Sequence, residues 1–334
     1  SQEDQSSLLW AESPAYITVD NGQGAENSIG INIDVKVEYV YSSTGELQMI
    51  HTLHRRIRLL SDEAINTFNT LSVSMSDVVE IIELKARVIK PDERIVEFNK
   101  DNIREIIDPD SRDSYKIFAI DGIEKGDDLE YLIIRRMNGS NFGREYLQFE
   151  FPVLNASFEL SSPENLVYAA KASNGFPQPV AGKTADGRNT LDCDTSNLEG
   201  LRSESYFYQN AARSRIDYKL EFNYSRGKSN LLRWSDAAQR IYGLMYGGID
   251  PKAVQKWLKT IDIHKGSPKD MAARVEDYVK SNVRIDEADR PEYADLEFIR
   301  TRKVTDIMGA VRLYANLFRE LDIKHEIVLT SERD

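Results

Sequence analysis

The stretch IGINIDVKVEYVY (residues 29–41) places Ile29, Ile31, Ile33, Val35, Val37, Tyr39 and Tyr41 at alternate positions, with mostly polar residues between them. Successive side chains of a strand point to opposite faces, so this is the pattern of a long strand half buried against a core. SSTGE (42–46) follows as a turn and LQMIHTLHRRIRLL (47–60) resumes extended structure, which predicts a hairpin. IELKARVI (82–89) and RIVEFNK (94–100) flank KPDE (90–93), where Pro91 suits the second position of a β-turn and Asp92 can bond its own backbone. YKIFAIDGI (115–123), DDLEYLIIRRM (127–137), YLQFEFPV (146–153) and SRIDYKLEFNY (214–224) read as further strands. The last of these carries Ile216, Tyr218, Leu220, Phe222 and Tyr224 on one face. Only SDEAINTFN (61–69) interrupts them with a helical pattern. The expectation is an antiparallel β-sandwich over residues 28–230, preceded by an N-terminal arm over 1–27.

After SRGKSN (225–230) the pattern changes to a helical one over 231–334. Ser235 and Asp236 can cap a helix running to about Tyr246, and two glycines follow it. Asp250 with Pro251, and Ser267 with Pro268, mark two further helix starts, because the side-chain oxygen takes a free amide while proline presets the backbone. A short helix over ADLEFIRTR (294–302) leads to TDIMGAVRLYANLFRELDI (305–323), for which Thr305 or Asp306 can cap the start. There Arg312, Asn316, Arg319 and Glu320 fall on one narrow stripe, while Ile307, Val311, Leu313, Tyr314, Ala315, Leu317, Phe318 and Leu321 cover the rest of the circumference. This predicts a central helix packed on several sides. HEIVLT (325–330) then reads as a strand. A lone strand leaves its backbone groups unsatisfied, so the sequence reads as part of a longer polypeptide whose C-terminal region would supply the partner.

The chain has 334 residues, 41% hydrophobic and 29% charged, with a formal net charge of -12. That composition is globular and disfavours a nucleic-acid partner, since the charge repels phosphate and no basic cluster offsets it. No run reaches the ~18 apolar residues of a transmembrane segment. The opening SQEDQSSLLWAESPAY (1–16) is polar and lacks an initiator Met, as a chain would after removal of a signal peptide or of an expression tag, and the single cysteine, Cys193, excludes an internal disulfide framework.

The segments RIRLLSDEAI, IIELKARVIKPDERIVEF, YKIFAIDGIEKGDDLEYLIIRRM and LEGLRSESYFYQNAARSRIDYKL resemble bacterial cell-envelope proteins in which a β-sandwich domain of unknown function precedes a transglutaminase-like domain of papain-related fold. LEFIRTRKVTDIMGAVRLYANLFRELDIKHEIVLTS resembles the stretch of that family in which a Gly-x-Cys motif opens a buried helix ending in Leu-Gly-Ile before a strand. The resemblance implies a multidomain β + α chain: a sandwich, then the helical half of a transglutaminase-like α+β domain. Aligning Leu321, Asp322 and Ile323 with Leu-Gly-Ile places the nucleophile at Ile307, the motif glycine at Thr305 and a commonly acidic position at Asp306. A cysteine at a helix N-terminus is useful because the dipole stabilises its thiolate and a His partner completes activation. Isoleucine offers nothing to activate. The His and Asp partners that the resemblance implies would lie beyond Asp334.

The remaining candidates read as structural. Cys193 lies between Asp192 and Asp194, whose charges raise a thiol's pKa, and reads as a loop or strand-end residue without chemistry. His51 and His54, three apart on a strand, point to opposite faces and cannot grip one metal, and His264 and His325 lack ligand-spaced companions. DPDSRD (108–113) lacks the glycine and later glutamate of a calcium loop. Tyr218, Phe222 and Tyr224, with Tyr206 and Tyr208, read as sandwich core before a sugar-stacking platform. The expected protein needs no cofactor or metal and is a non-catalytic periplasmic or cell-surface module that binds a peptide, protein or glycan. The alternative is a cysteine protease or amide-transferring enzyme whose catalytic residues lie outside this chain.

Overall fold

The computed structural model describes residues 9–19, 26–98, 103–107, 114–205, 207–227, 233–264, 266–288 and 290–330. The chain divides into two compact units, Ser1–Leu231 and Leu232–Arg333. In chain order the first unit carries β1 (Ser28–Tyr41), β2 (Leu47–Leu59), α1 (Asp62–Phe68), β3 (Thr70–Ser74), β4 (Val78–Ile89) and β5 (Ile95–Glu97). β6 (Ile103–Ile107), β7 (Ser114–Ala119), β8 (Asp128–Asn138), β9 (Phe142–Tyr146) and β10 (Val153–Ser162) follow. β11 (Leu166–Ser173), β12 (Val180–Lys183), β13 (Asn189–Leu198), the one-turn α2 (Gln209–Ala212) and β14 (Arg215–Asn223) complete it.

The predicted hairpins form. β1 and β2 pair antiparallel through the 42–46 turn, in which Gly45 adopts a φ of +82° that other residues resist. The β4–β5 turn has Glu93 N–H donating to Lys90 C=O, with Pro91 in second place, and Asp92 accepting from Arg94 N–H. An eight-stranded sheet, in the order β12-β13-β10-β1-β2-β8-β4-β5, forms the backbone of the unit. Its pairs are antiparallel except β1 with β10, which run parallel, so the antiparallel expectation is modified at one seam. Two three-stranded sheets, β11-β14-β9 and β3-β7-β6, complete the sandwich and give it two cores.

Both cores lie on the same face of the large sheet. On β2, Met49 enters the core under β11-β14-β9, Ile57 and Leu59 enter the core under β3-β7-β6, and Leu53 packs against both. The alternating residues Ile33, Val35, Val37 and Tyr39 of β1 are buried in the first core, as the period-2 pattern requires. YLQFEFPV does not form the expected strand. β9 ends at Tyr146 in a small sheet and β10 begins at Val153 in the large one, so residues 147–152 must cross between layers. Their apolar side chains still serve the core, with Leu147 fully buried and Phe149 stacked on Phe151 at 5.3 Å.

The opposite, outer face of the sheet is charged yet buried: Arg56, Arg58, Arg87, His54, Asp128 and Glu130 are all inaccessible. Residues of the arm lie over it, where Arg87 stacks under Trp10 and Arg58 under Tyr16.

The second unit is helical: α3 (Trp234–Tyr246), α4 (Pro251–Ile261), α5 (Pro268–Asn282), α6 (Leu296–Arg302) and α7 (Ile307–Glu320), with a two-residue parallel pair β15 (Arg284–Ile285) and β16 (Val304–Thr305). Asp250 and Ser267 cap α4 and α5 as expected, each accepting a first-turn amide ahead of its proline. α3 instead begins at Trp234 after Arg233 without a side-chain cap, so Ser235 and Asp236 lie inside its first turn. Trp257 is the centre of the core, wholly buried, with its indole N–H donating to Leu296 C=O at 2.8 Å.

Two expectations for the end of the chain are corrected. HEIVLT forms no strand, because no strand of this unit lies alongside to pair with it among the described residues. Half of the polar stripe of α7 faces protein: Asn316 is 1% exposed and donates to Met245 C=O at 2.8 Å, and Arg312 donates to Leu244 and Gly247 C=O, whereas Arg319 and Glu320 are exposed as the stripe implies. These groups satisfy the carbonyls that the end of α3 leaves without intrahelical partners. Ile307, placed with the buried set, is 69% exposed, because the first turn of α7 turns Gly309 and Ala310 to the protein and Ile307 and Met308 to solvent. Replacing Asn316→Leu keeps the volume but strands the Met245 carbonyl, and should cost about 1–3 kcal/mol in urea unfolding followed by tryptophan fluorescence.

Candidate functional site

The start of α7 is built from three local devices. Asp306 accepts from Gly309 N–H at 2.6 Å and so caps the helix, leaving residue 307 at its first position. Thr305, the end of β16, is fully buried and donates its hydroxyl to Tyr293 C=O at 3.3 Å. That hydroxyl and the Tyr293 carbonyl occupy the space that a Cβ at Gly309 would need, so a threonine at 305 requires glycine at 309. Tyr293 donates to Asp286, whose carboxyl that hydrogen bond holds below its usual range. At the start of the helix Ile307 and Met308 are thus exposed, while Thr305, Tyr293 and Asp286 are linked by hydrogen bonds, with Thr305 and Tyr293 packed against Gly309.

His325 is not brought to this end of the helix. It follows the far end of α7, and fourteen residues of helix span roughly 20 Å. Its Nδ1 faces the Ile323 carbonyl at 2.7 Å and so carries a proton, while Nε2 meets the Tyr246 hydroxyl at 2.7 Å. It lines a groove of about 530 Å³ with Trp234, Tyr242, Tyr246, Val328 and Leu329. His264 is exposed, 3.4 Å from Asp262.

Cys193 sits in mid-strand on β13, opposite Phe158 and buried in the first core, rather than at a strand end or in a loop. Burial, with Asp192 and Asp194 adding to it, pushes its thiol up to about 12. The aromatic stripe divides: Tyr218 is buried, Phe222 is half-buried, and Tyr208 and Tyr224 are exposed. Tyr206 and the 108–113 segment lie outside the described residues.

His51 and His54 do project from opposite faces. His51 lies between Glu145, 3.1 Å from Nε2, and Arg135, 3.1 Å from Nδ1. His54 is part of a chain that crosses five strands. Ser157 on β10 donates to Asp34 on β1 at 2.6 Å, and His54 on β2 lies 2.8 Å from Asp34 and 2.9 Å from Glu130 on β8. Arg87 on β4 then donates to Glu130 at 2.6 Å. Two carboxylates facing the two ring nitrogens require both to donate, which is the imidazolium form. Burial opposes that charge, but the hydrogen bonds to Asp34 and Glu130 outweigh it and hold the His54 pKa above its usual value. For Glu130 likewise, burial is overcome by the hydrogen bonds from His54 and Arg87, which hold its pKa low. Periodicity placed His54 inward or outward; only the register shows which carboxylates meet it.

Residues 47–201 match the family described as a domain of unknown function with solved structure, DUF3857. A crystal structure from Parabacteroides distasonis, described as a "putative protease", is similar over 88% of this chain, with a TM-score of 0.57 at 13% identity. The likeness shows the fold. The match covers 58% of that structure's own chain. No curated protein matches. Among the described residues no helix is long and apolar enough to cross a membrane.

Two measurements check the buried groups. A raised His54 pKa gives stability that is complete below the ordinary value of 6.5 and lost as pH rises through the folded value, whereas the lowered Glu130 pKa gives stability present above 4.5 and lost on acidification. The melting temperature should therefore fall on the alkaline side of pH 6.5, and His54→Gln should remove about 2–4 °C of that fall. Cys193 should resist alkylation at pH 8, well below its thiol value of about 12, and react fully once the chain is unfolded in denaturant.

Proposed function

We propose that this chain is a non-catalytic, transglutaminase-like protein of the bacterial cell envelope, periplasmic or at the cell surface, that binds a peptide, protein or glycan. The observation that carries this reading is Ile307 at the first position of α7, 69% exposed, where the resemblance puts an attacking sulfur. A helix N-terminus favours an anion, and the free amides there would stabilise a thiolate. A branched hydrocarbon has no such form. Its neighbours support the same reading: Thr305 stands where the resembling motif has glycine, and Gly309 makes room for it. Cys193 offers no substitute nucleophile, since its environment favours the neutral thiol.

The alternative, a protease or amide-transferring enzyme completed by residues outside this chain, needs a nucleophile from elsewhere. The test is amide hydrolysis and amine transfer by the full chain beside Cys193→Ser. We expect no turnover in either, and we expect Ile307→Lys to weaken retention on peptide or glycan arrays about tenfold, or ~1.4 kcal/mol. Turnover by the wild-type chain that disappears in Cys193→Ser would overturn the reading.

A further inference from the structure

The outer face of the large sheet carries a second feature, independent of what the helical unit does. Three arginines there, Arg56, Arg58 and Arg87, share two carboxylates. Arg56 and Arg58 both reach Asp128, which is fully buried, and Arg87 reaches Glu130. A guanidinium has five N–H donors in a fixed fork, so pairs of this kind leave donors over. Those donors point away from the sheet and meet the main chain of the arm. Arg87 donates to Ala11 C=O at 2.8 Å, Arg56 to Ala15 C=O at 2.7 Å and Arg58 to Ile17 C=O at 2.9 Å.

Side chains add selectivity to these contacts. Trp10 lies 4.0 Å from the Arg87 guanidinium and Tyr16 lies 3.7 Å from that of Arg58, ring over cation in each case. Pro14 is buried between them in sequence, and the Tyr16 hydroxyl donates to Gly126 C=O at 2.7 Å. Carbonyl contacts accept any sequence, while two aromatic seats and a proline seat do not. The pattern is a built site for an extended segment of the form aromatic-x3-Pro-x-aromatic.

We propose that this face is a peptide-docking site, and that the partner fitting it when the chain's own arm is out of place is residues 10–17 of a second copy. Exchange between copies preserves every contact named above, so its only penalty is the loss of the tether, which presents the cis arm at an effective concentration of order millimolar. Arm exchange is therefore favoured at high protein concentration or when the cis arm is weakened.

The probe is a fluorescent peptide of residues 9–19, LWAESPAYITV. Titrated by anisotropy into the full chain carrying Trp10→Ala and Tyr16→Ala, it should bind saturably and about tenfold tighter than to the wild-type chain, whose own arm competes. The peptide carrying the same two alanines should bind about tenfold weaker. No saturable binding by a variant that keeps the wild-type circular dichroism overturns the proposal. A second measurement does not depend on that variant folding. Full chain with a photo-crosslinker at position 10 is mixed with an excess of isotopically heavy wild-type chain at a total concentration of about 1 mM, matching the tether's effective concentration, and irradiated. Light-to-heavy cross-links into β4 or β8 support the second copy as partner. Cross-links confined to single chains, or directed elsewhere, overturn it.

Discussion

The buried charge on the outer face of the large sheet is the constraint around which the first unit is organised. Asp128 is wholly inaccessible, and an unpaired carboxylate there would cost several kcal/mol. Arg58, directly opposite in the β2–β8 register, and Arg56, which stands opposite Glu130 and reaches across diagonally, neutralise it from the adjacent strand. Glu130 is held likewise by His54 and Arg87. Because each partner sits on a neighbouring strand, these pairs also specify how β1, β2, β8 and β4 align. A slip of one residue would send every one of these charges into the apolar cores on the other face. Buried ion pairs add little net stability, but they are intolerant of the wrong register.

The two faces of that sheet are thus solved differently. One buries Val, Ile and Leu under two small sheets, where burial contributes roughly 25 cal/mol per Å² of apolar surface. The other closes charge on charge and is roofed by the arm, whose carbonyls take the remaining guanidinium donors. The helical unit follows the same logic on a smaller scale. Arg312 and Asn316 of α7 complete the end of α3, so that helix end can be buried without orphaned carbonyls.

Much of this architecture was legible in residue order. Alternation in β1, β2, β8 and β14 located strands, and Asp250-Pro251 and Ser267-Pro268 located helix starts, because these signals depend only on local backbone geometry. The weaker strands β6 and β12 carry little periodic signal, since almost all their residues are exposed in short pairings, and β13, though long, buries only Cys193 fully between polar neighbours. The polar stripe of α7 misled for a related reason. Periodicity says which residues share a face, but a polar face can be turned to solvent or to the carbonyls of another helix. At the candidate site, the absence of sulfur at residue 307 was readable at once, while the reciprocal fit of Thr305 and Gly309 was not.

Sequence alone determined the strand and helix grammar, the change of class after residue 230 and the chemical identity of position 307, because each follows from neighbours within a few residues. Tertiary structure decided that one strand pair is parallel, that His54 is clamped by Asp34 and Glu130, that Cys193 lies in a core, and that residues 10–17 cover the arginines. The physical reason is range. Hydrogen-bond pairing between residues dozens of positions apart is fixed by register and burial, and a charged side chain carries no mark in the sequence of which opposite charge will meet it.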